Sequence, residues 1–309
     1  MRVLVIYENP EWTPPIERAL TAAGVAPELM AIDGGPIDMS GTPEDAIYLN
    51  RMSASAHTRG HEGAAETTRD FLGWLERHDR RVINGLGAFK LELSKARQIE
   101  ALESHGFAVP RTSVVEAGEG RFGALVEAAS GFDGAFVVKP NRGGKGLGVE
   151  KFDSVNQLEI AIEAELIEPS PDGLMLVQRY IEPADPSITR CEFVGGEFLY
   201  AIRADTSGGF ELCPADGCGE GESEDPQAKF SLREDVPREQ IEACEAFCSS
   251  EGIEIAGIEF IEDAEGKRWT YDVNCNTNYS PSVEANHGLD GAAAVAGLVR
   301  RELEKLAPS

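Results

Sequence analysis

Between Phe136 and Lys151 the chain reads FVVKPNRGGKGLGVEK. Three apolar residues, Phe136, Val137 and Val138, have the character of a buried strand, and Lys139 follows where that strand emerges. Glycines then fall at 143, 144, 146 and 148, with Lys145 among them, before Val149 resumes an apolar alternation. Glycine accepts positive φ and lets backbone N–H groups approach an anion closely. The spacing predicts a basic hairpin rich in N–H groups, suited to a polyphosphate, with Lys139, Arg142, Lys145 and Lys151 supplying charge. No G-x-x-x-x-G-K-[ST] can be read here, so this is not a Walker A loop. The glycine spacing and the lack of a following helix start also exclude a dinucleotide fingerprint. A glycine-rich surface hairpin with no ligand is the structural alternative, and the rest of the chain has to decide between them.

The basic cluster stands out because the 309-residue chain carries a net charge of −26. That charge argues against nucleic acid or an anionic membrane as the main partner. A hydrophobic content of 42% describes a globular protein large enough for two or three compact units. No segment approaches the roughly 20 apolar residues of a membrane span. The N-terminal MRVLVIYENP breaks at Glu8-Asn9-Pro10, too early for a secretory signal, so a cytoplasmic location is expected. Of the cysteines, Cys213 and Cys218 fall in a loop and Cys244 and Cys248 one helical turn apart. Either a four-thiolate zinc site or reduced, partly buried thiols fits that pattern.

Over the first ninety residues strand and helix alternate. Strands are expected at Arg2–Tyr7, Glu28–Ile32, Ala46–Leu49 and Arg81–Ile83, with helices at Ile16–Ala23 and around Phe71–Leu75. This is an open α/β unit whose loops Glu8–Pro15 and Arg51–His61 lie at strand ends, where such sheets place ligands. The second loop offers Arg51, His57, Arg59 and His61, either as a carboxylate clamp or as a solvated loop. Ser94 caps a helix running to His105, Val109–Val115 reads as a strand, and a helix lies near Phe122–Ala129. Ser154 to Gln157 is a capping box for a helix to about Ile167. Further strands follow at Gly173–Ile181, Ile188–Val194 and Glu197–Arg203, the last two joined at Gly195-Gly196. Residues 205–227 read as loop. A helix at Arg238–Ser250, strands at Glu254–Glu262 and Lys267–Val273, and a closing helix at Asp290–Leu306 complete the chain. The expected units are 1–90, 91–172 and 173–309.

A second chemical signal lies near the end. Asp272 and Asn274 are two apart on a strand and share a face, and Glu259 on the preceding strand can lie across from them. Two carboxylates and an amide oxygen form a hard-oxygen set suited to Mg²⁺ with bound phosphates. Solvent-facing polar residues are the alternative for any one pair. A basic phosphate cradle and a separate acidic face together supply the parts for ATP chemistry.

The ordered set Lys95, Lys139-Pro140, glycine hairpin, Gln178-Arg-Tyr-Ile181, Arg190, Gly195-Gly196, Glu259 and Asp272-Val-Asn274 resembles the ATP-grasp superfamily. Within it the set is most similar to the ribosomal-protein glutamate ligase (RimK-like) branch of carboxylate–amine ligases, over about Asn84 to Glu284. The resemblance implies an α/β (α+β) ATP-grasp fold, with an N-terminal α/β domain and two α+β subdomains clasping ATP. It implies Lys95 and Lys139 on the ATP phosphates, and Gly143, Gly144, Lys145 and Gly146 in a lid over them. Gln178, Arg179, Tyr180 and Ile181 would form the hinge around adenine, and Glu182 would lie near the ribose. Arg190 would act on the γ-phosphate, and Glu259, Asp272 and Asn274 would hold one or two Mg²⁺ (or Mn²⁺). The implied activity joins a small-molecule or peptide carboxylate to an amine through an acyl phosphate, releasing ADP. A kinase, or a nucleotide-binding module without turnover, are the other classes. A homodimer is common among the family's members. The sequence departs from the branch in two places. Ile188 stands where the glutamate ligases carry an aspartate, and Phe210–Cys213 where they carry Arg-Ser-Asn. Arg203 is then a candidate for a second arginine near the reacting groups, and glutamate is not carried over as the added amine.

Overall fold

The structure is a computed structural model that describes residues 2–118, 122–209 and 229–306. Three sheets organise it. The first is parallel, with strands β1 (Arg2–Tyr7), β2 (Pro27–Ala31), β3 (Ala46–Asn50) and β4 (Arg81–Ile83) in the order β2-β1-β3-β4. All five residues of β3 are buried, the mark of a strand covered on both faces. Helix α2 (Ala64–Arg77) covers one face through Phe71, Leu72 and Leu75. Helix α1 (Pro14–Ala22) covers the other, together with the last helix of the chain, α9 (Gly291–Leu306). The terminal helix thus completes the core of the first unit, packing Val295 and Val299 with Val3, Val5 and Leu20.

The first unit leads through α3 (Leu86–Glu92), which the sequence pattern did not reveal, into α4 (Lys95–Ser104), where Ser94 Oγ accepts the Arg97 N–H as the expected cap. The second sheet has the order β5-β8-β6-β7, from β5 (Thr112–Glu116), β6 (Phe136–Pro140), β7 (Glu150–Phe152) and β8 (Leu174–Arg179), all neighbours antiparallel. Strand β8, expected to open the third unit, therefore lies inside the second. Its Met175 and Val177 pack with Phe136 and Val138 beneath α5 (Gly123–Ala129) and α6 (Val155–Glu163). Helix α6 stops short of Ile167. Glu165 takes a left-handed φ of 57°, and the Leu166 N–H returns to the Ala161 carbonyl at 3.0 Å.

The third sheet has the order β11-β10-β9-β12-β13 and is antiparallel throughout: β9 (Ser187–Val194), β10 (Glu197–Asp205), β11 (Phe230–Leu232), β12 (Ile255–Glu262) and β13 (Arg268–Asn274). One face packs Cys191, Phe193, Ile258 and Phe260 against α4 and α7 (Arg238–Glu251). The short helix α8 (Pro281–His287) precedes α9. Among the described residues no helix is long and apolar enough to cross a membrane.

Candidate active site

The other face of the third sheet looks across a cleft at the second. The cleft encloses about 1150 Å³ of atom-free space out to its mouth. Strand periodicity selects its lining: Arg190 from β9, Glu259 and Ile261 from β12, Val137 and Lys139 from β6, and Gln178 from β8. Lys95 enters from the first turn of α4, and the glycine loop between β6 and β7 lines the cleft from Gly143 to Leu147.

Lys139 is part of β6 and only 4% exposed, deeper than a residue emerging from a strand end. Its Nζ donates to Gln178 Oε1 at 2.9 Å, and Gln178 Nε2 donates to Thr112 Oγ1 at 2.8 Å. Burial, reinforced by the neighbouring Lys95 charge, brings the Lys139 ammonium down to about 7. Lys95 pairs with Asp272, whose attraction more than offsets burial and holds the Lys95 ammonium above its ordinary range.

Glu259 and Asp272 stand directly opposite each other across the β12–β13 ladder. Asn274 Nδ2 donates to Glu259 Oε1 at 3.3 Å and to Asp272 Oδ2 at 3.2 Å. Burial and the Asp272 charge push the Glu259 carboxyl up. For Asp272, burial acts in the same direction but is outweighed by Lys95 and Lys139, so its carboxyl falls below the usual range. The ladder skips Tyr271, since Glu259 faces Asp272 while Phe260 faces Thr270. This bulge turns Tyr271 into the cleft beside Asp272, where its hydroxyl donates to Glu259 Oε2 at 2.9 Å. Simple alternation would put Tyr271 on the opposite face.

Arg190 is held by a buried network. Its Nε donates to Glu192 Oε1 at 2.8 Å and its Nη2 to Thr277 Oγ1, which in turn donates to Glu192 Oε2 at 2.7 Å. Nη1 reaches Glu259 Oε1 at 3.5 Å. The guanidinium lies over Gly257, where an added Cβ would come within 2.5 Å of Nε. Only glycine lets the arginine cross β12 at that height.

Asn141 fixes the base of the glycine loop. Its Oδ1 accepts the Ala96 N–H at 2.8 Å, its Nδ2 donates to Asp172 Oδ2 at 2.5 Å, and its carbonyl accepts the Lys95 N–H at 3.0 Å. This side chain ties the start of α4 to β6 and so sets Lys95 beside Lys139. In the loop, Lys145, Gly146 and Gly148 all have positive φ. The loop meets two strand-end loops of the first unit: Gly144 lies against Ser55, and Lys145 Nζ sits 4.9 Å from the centre of the Trp12 ring. Arg142 turns away from the cleft to pair with Glu66 on α2.

A lysine pair, a glycine loop and an acidic face thus meet in one cleft between two antiparallel sheets. The chain has the ATP-grasp fold. Solved structures agree with it over nearly the whole length. D-cycloserine synthetase DcsG is 23% identical, covering 97% of this chain and 99% of its own, with a TM-score of 0.66. The ATP-grasp ligase PsnB, complexed with a minimal precursor, Mg and ADP, is 16% identical and covers 97% of this chain and 96% of its own, with a TM-score of 0.63. A RimK domain ATP-grasp protein from Sphaerobacter thermophilus is 17% identical and covers 96% and 98%, with a TM-score of 0.65. No protein-family model and no curated protein sequence matches the chain.

Within this ATP-grasp fold the expected site residues are mostly brought together. Lys95, Lys139, Gly143, Gly144, Lys145, Gly146, Gln178, Arg179, Tyr180, Ile181, Arg190, Glu259, Asp272 and Asn274 all line the one cleft. Glu182 does not line it and sits exposed between Ile181 and Pro183, which do. Arg203 does not reach it either. Its Nη1 pairs with Asp185 Oδ2 at 2.6 Å at the surface. Ile188 joins Val137 and Ile261 as apolar lining. Of the loop read as clamp or solvated segment, Arg51 is buried and donates to the Thr277 carbonyl and to Asn278 Oδ1, each at 2.9 Å. Cys244 and Cys248 are buried in the third unit's core, and burial pushes both thiols up to about 12. Cys213 and Cys218, like the 210–213 segment, lie outside the described residues.

Among the described residues no group of three or more His, Cys, Asp or Glu side chains is placed to hold a metal by itself. Glu259, Asp272 and the Asn274 amide nevertheless fit Mg²⁺, which takes one or two carboxylates and completes its shell with phosphate oxygens and water.

Proposed function

We propose that this protein is an ATP-dependent carboxylate–amine ligase that releases ADP and phosphate. The observation that carries the reading is the placement of Lys95, Lys139, Arg190 and the Glu259–Asp272 pair around one cleft, under a glycine loop. Adenine would lie against Val137, Ile188 and Ile261, with the Gln178–Ile181 backbone at its edge. Lys95 and Lys139 would hold the phosphates as point charges. Glu259, Asp272 and Asn274 would hold Mg²⁺, which when bound neutralises charge on the β- and γ-phosphates. Arg190, locked by Glu192 and Thr277, would stabilise the transferring phosphoryl group with no reorganisation at the moment of reaction. A carboxylate oxygen attacks the γ-phosphorus as its bond to the ADP oxygen breaks. An amine then displaces phosphate from the acyl phosphate, and the glycine loop over the cleft shields that labile intermediate from water. The synthetase and the ligase named for two neighbours, and the Mg and ADP in one of them, support this class.

Product analysis tests it. The protein, Mg-ATP, a panel of carboxylates and hydroxylamine as a neutral amine should yield ADP, phosphate and a hydroxamate. ADP with a stable phosphorylated product and no hydroxamate would identify a kinase. AMP with pyrophosphate would overturn the acyl-phosphate route.

A further inference from the structure

The β6–β7 ladder ends at Val138–Glu150, and beyond it the glycine loop folds through two turns. In these the Leu147 N–H donates to the Gly144 carbonyl and the Val149 N–H to the Gly146 carbonyl, each at 3.2 Å. Lys145 sits in the first turn with a left-handed φ of 62°, a conformation that glycine accepts freely and a residue with a side chain does not. Such a residue persists where its surroundings hold it, and here they include the first unit.

Trp12 closes a 3₁₀ turn after β1, Pro10–Trp12, whose start is fixed by Asn9 Oδ1 accepting the Glu11 N–H at 3.0 Å. Its ring meets two cations, the Arg59 guanidinium 4.7 Å from the ring centre and the Lys145 ammonium at 4.9 Å. The two are held differently. Arg59 is pinned inside the first unit, where Nη2 and Nε fork onto the buried Glu8 carboxylate, Nε at 3.2 Å from Oε2, and Nη1 donates to Ser55 Oγ at 3.2 Å. Lys145 belongs to the glycine loop and also lines the nucleotide cleft. One ring can hold both charges because Glu8 neutralises Arg59 while the electron-rich ring face attracts each cation. Gly144 adds a second contact, since a Cβ there would stand 3.6 Å from the Ser55 Cβ. The seat of the loop is thus a patch of the first unit built on Trp12, Arg59 and Ser55.

We infer that Trp12 is a positioning residue that latches the glycine loop onto the first unit, with Arg59 and Glu8 as its rigid mounting. The ring acts through Lys145 and the loop, not on the reacting atoms. A nucleotide in the cleft has to pass this loop to leave, so its rate of escape reports on the latch. Shielding of an acyl phosphate from water is the part of the inference that rests on the ligase reading.

Stopped-flow release of a methylanthraniloyl-labelled ADP from the protein with Mg²⁺, chased by unlabelled ADP, tests the latch. Trp12→Leu keeps apolar bulk without a π face and should release the label about 10-fold faster than the wild type. Trp12→Phe keeps a π face and should stay within about 3-fold of the wild type. A merely structural role for the ring would not separate the two variants in this way. With an acid that supports turnover and no amine, Trp12→Leu should also form ADP faster than the wild type, because water reaches the acyl phosphate. In the wild-type protein, Mg-ADP should slow hydrogen exchange in the Trp12 segment and in the glycine loop together. Wild-type rates of label release and ADP formation in Trp12→Leu would overturn the inference, and so would Trp12→Phe as fast as Trp12→Leu. So would protection of the loop that leaves the Trp12 segment unchanged, a result that needs no variant to fold. If no acid yields ADP, the ligase reading fails and the release rates still judge the latch. No binding of the labelled ADP would overturn both.

Discussion

A lysine amine buried beside a second lysine holds its proton weakly, and Lys139 is in that position until an anion arrives. With its ammonium at about 7, Lys139 is largely neutral at pH 8 and largely charged at pH 6. Bound triphosphate favours the charged form, so nucleotide binding should draw a proton from solvent, close to one at pH 8 and almost none at pH 6. Calorimetry of ATP binding in two buffers of different ionisation enthalpy reads this directly. Lys139→Met should remove the buffer dependence. Equal heats for the wild-type protein at pH 8 would show that Lys139 is already charged without ligand. Gly257 acts through space alone. An alanine there meets the Arg190 guanidinium, so Gly257→Ala should push Arg190 off its network with Glu192 and Thr277 and lower kcat about 100-fold. Its circular dichroism should remain that of the wild type. Unchanged kcat would mean that the guanidinium has another seat.

At the scale of elements, the site depends on how α4 is held. Gln98 on α4 donates to the Leu91 and Val273 carbonyls at 2.9 Å each and accepts the Val273 N–H at 3.1 Å. It therefore docks the helix bearing Lys95 onto the strand bearing Asp272 and Asn274. Gln98→Ala leaves buried backbone groups unpaired, at about 1–3 kcal/mol. The expected result is a lower thermal midpoint together with a raised KM for Mg-ATP, because the Lys95–Asp272 pair loses its frame. A loss of stability with no change in that KM would show that Lys95 is positioned by Asn141 alone.

For the whole molecule, a buried asparagine is the densest polar tie between the first and third units. Asn84 donates to the Ile255 and Cys275 carbonyls at 2.7 and 2.8 Å and accepts the Glu254 and Ile255 N–H groups at 2.7 and 3.0 Å. Arg51 and its bonds to Thr277 and Asn278 form a second tie nearby. Asn84→Ala should cost about 3 kcal/mol through those orphaned groups, seen as a lower midpoint of thermal unfolding. A midpoint equal to that of the wild type would mean that the shared core of α1 and α9 carries the joint.

The elements were legible where local physics is sufficient. Short apolar runs marked β1 and β3, the Ser94 and Ser154 caps marked helix starts, and the glycine run marked the loop over the cleft. The placement of several cleft residues was legible for the same reason. Lys139, Glu259, Asp272 and Asn274 are polar residues on strands, and period 2 decides which face each occupies. Other features were not. The bulge at Tyr271, the seat of Arg190 over Gly257, the assignment of β8 to the middle sheet, and the use of α9 by the first unit depend on partners far away in the chain. Arg203 and Glu182 were equally plausible as charges, and only the packing left them outside the cleft. Sequence by itself determined which lysines and oxygen-bearing side chains share a strand face, because side-chain type and local period suffice for that. Tertiary structure alone decided which of them meet, because burial and hydrogen-bond partners arise only when distant segments pack.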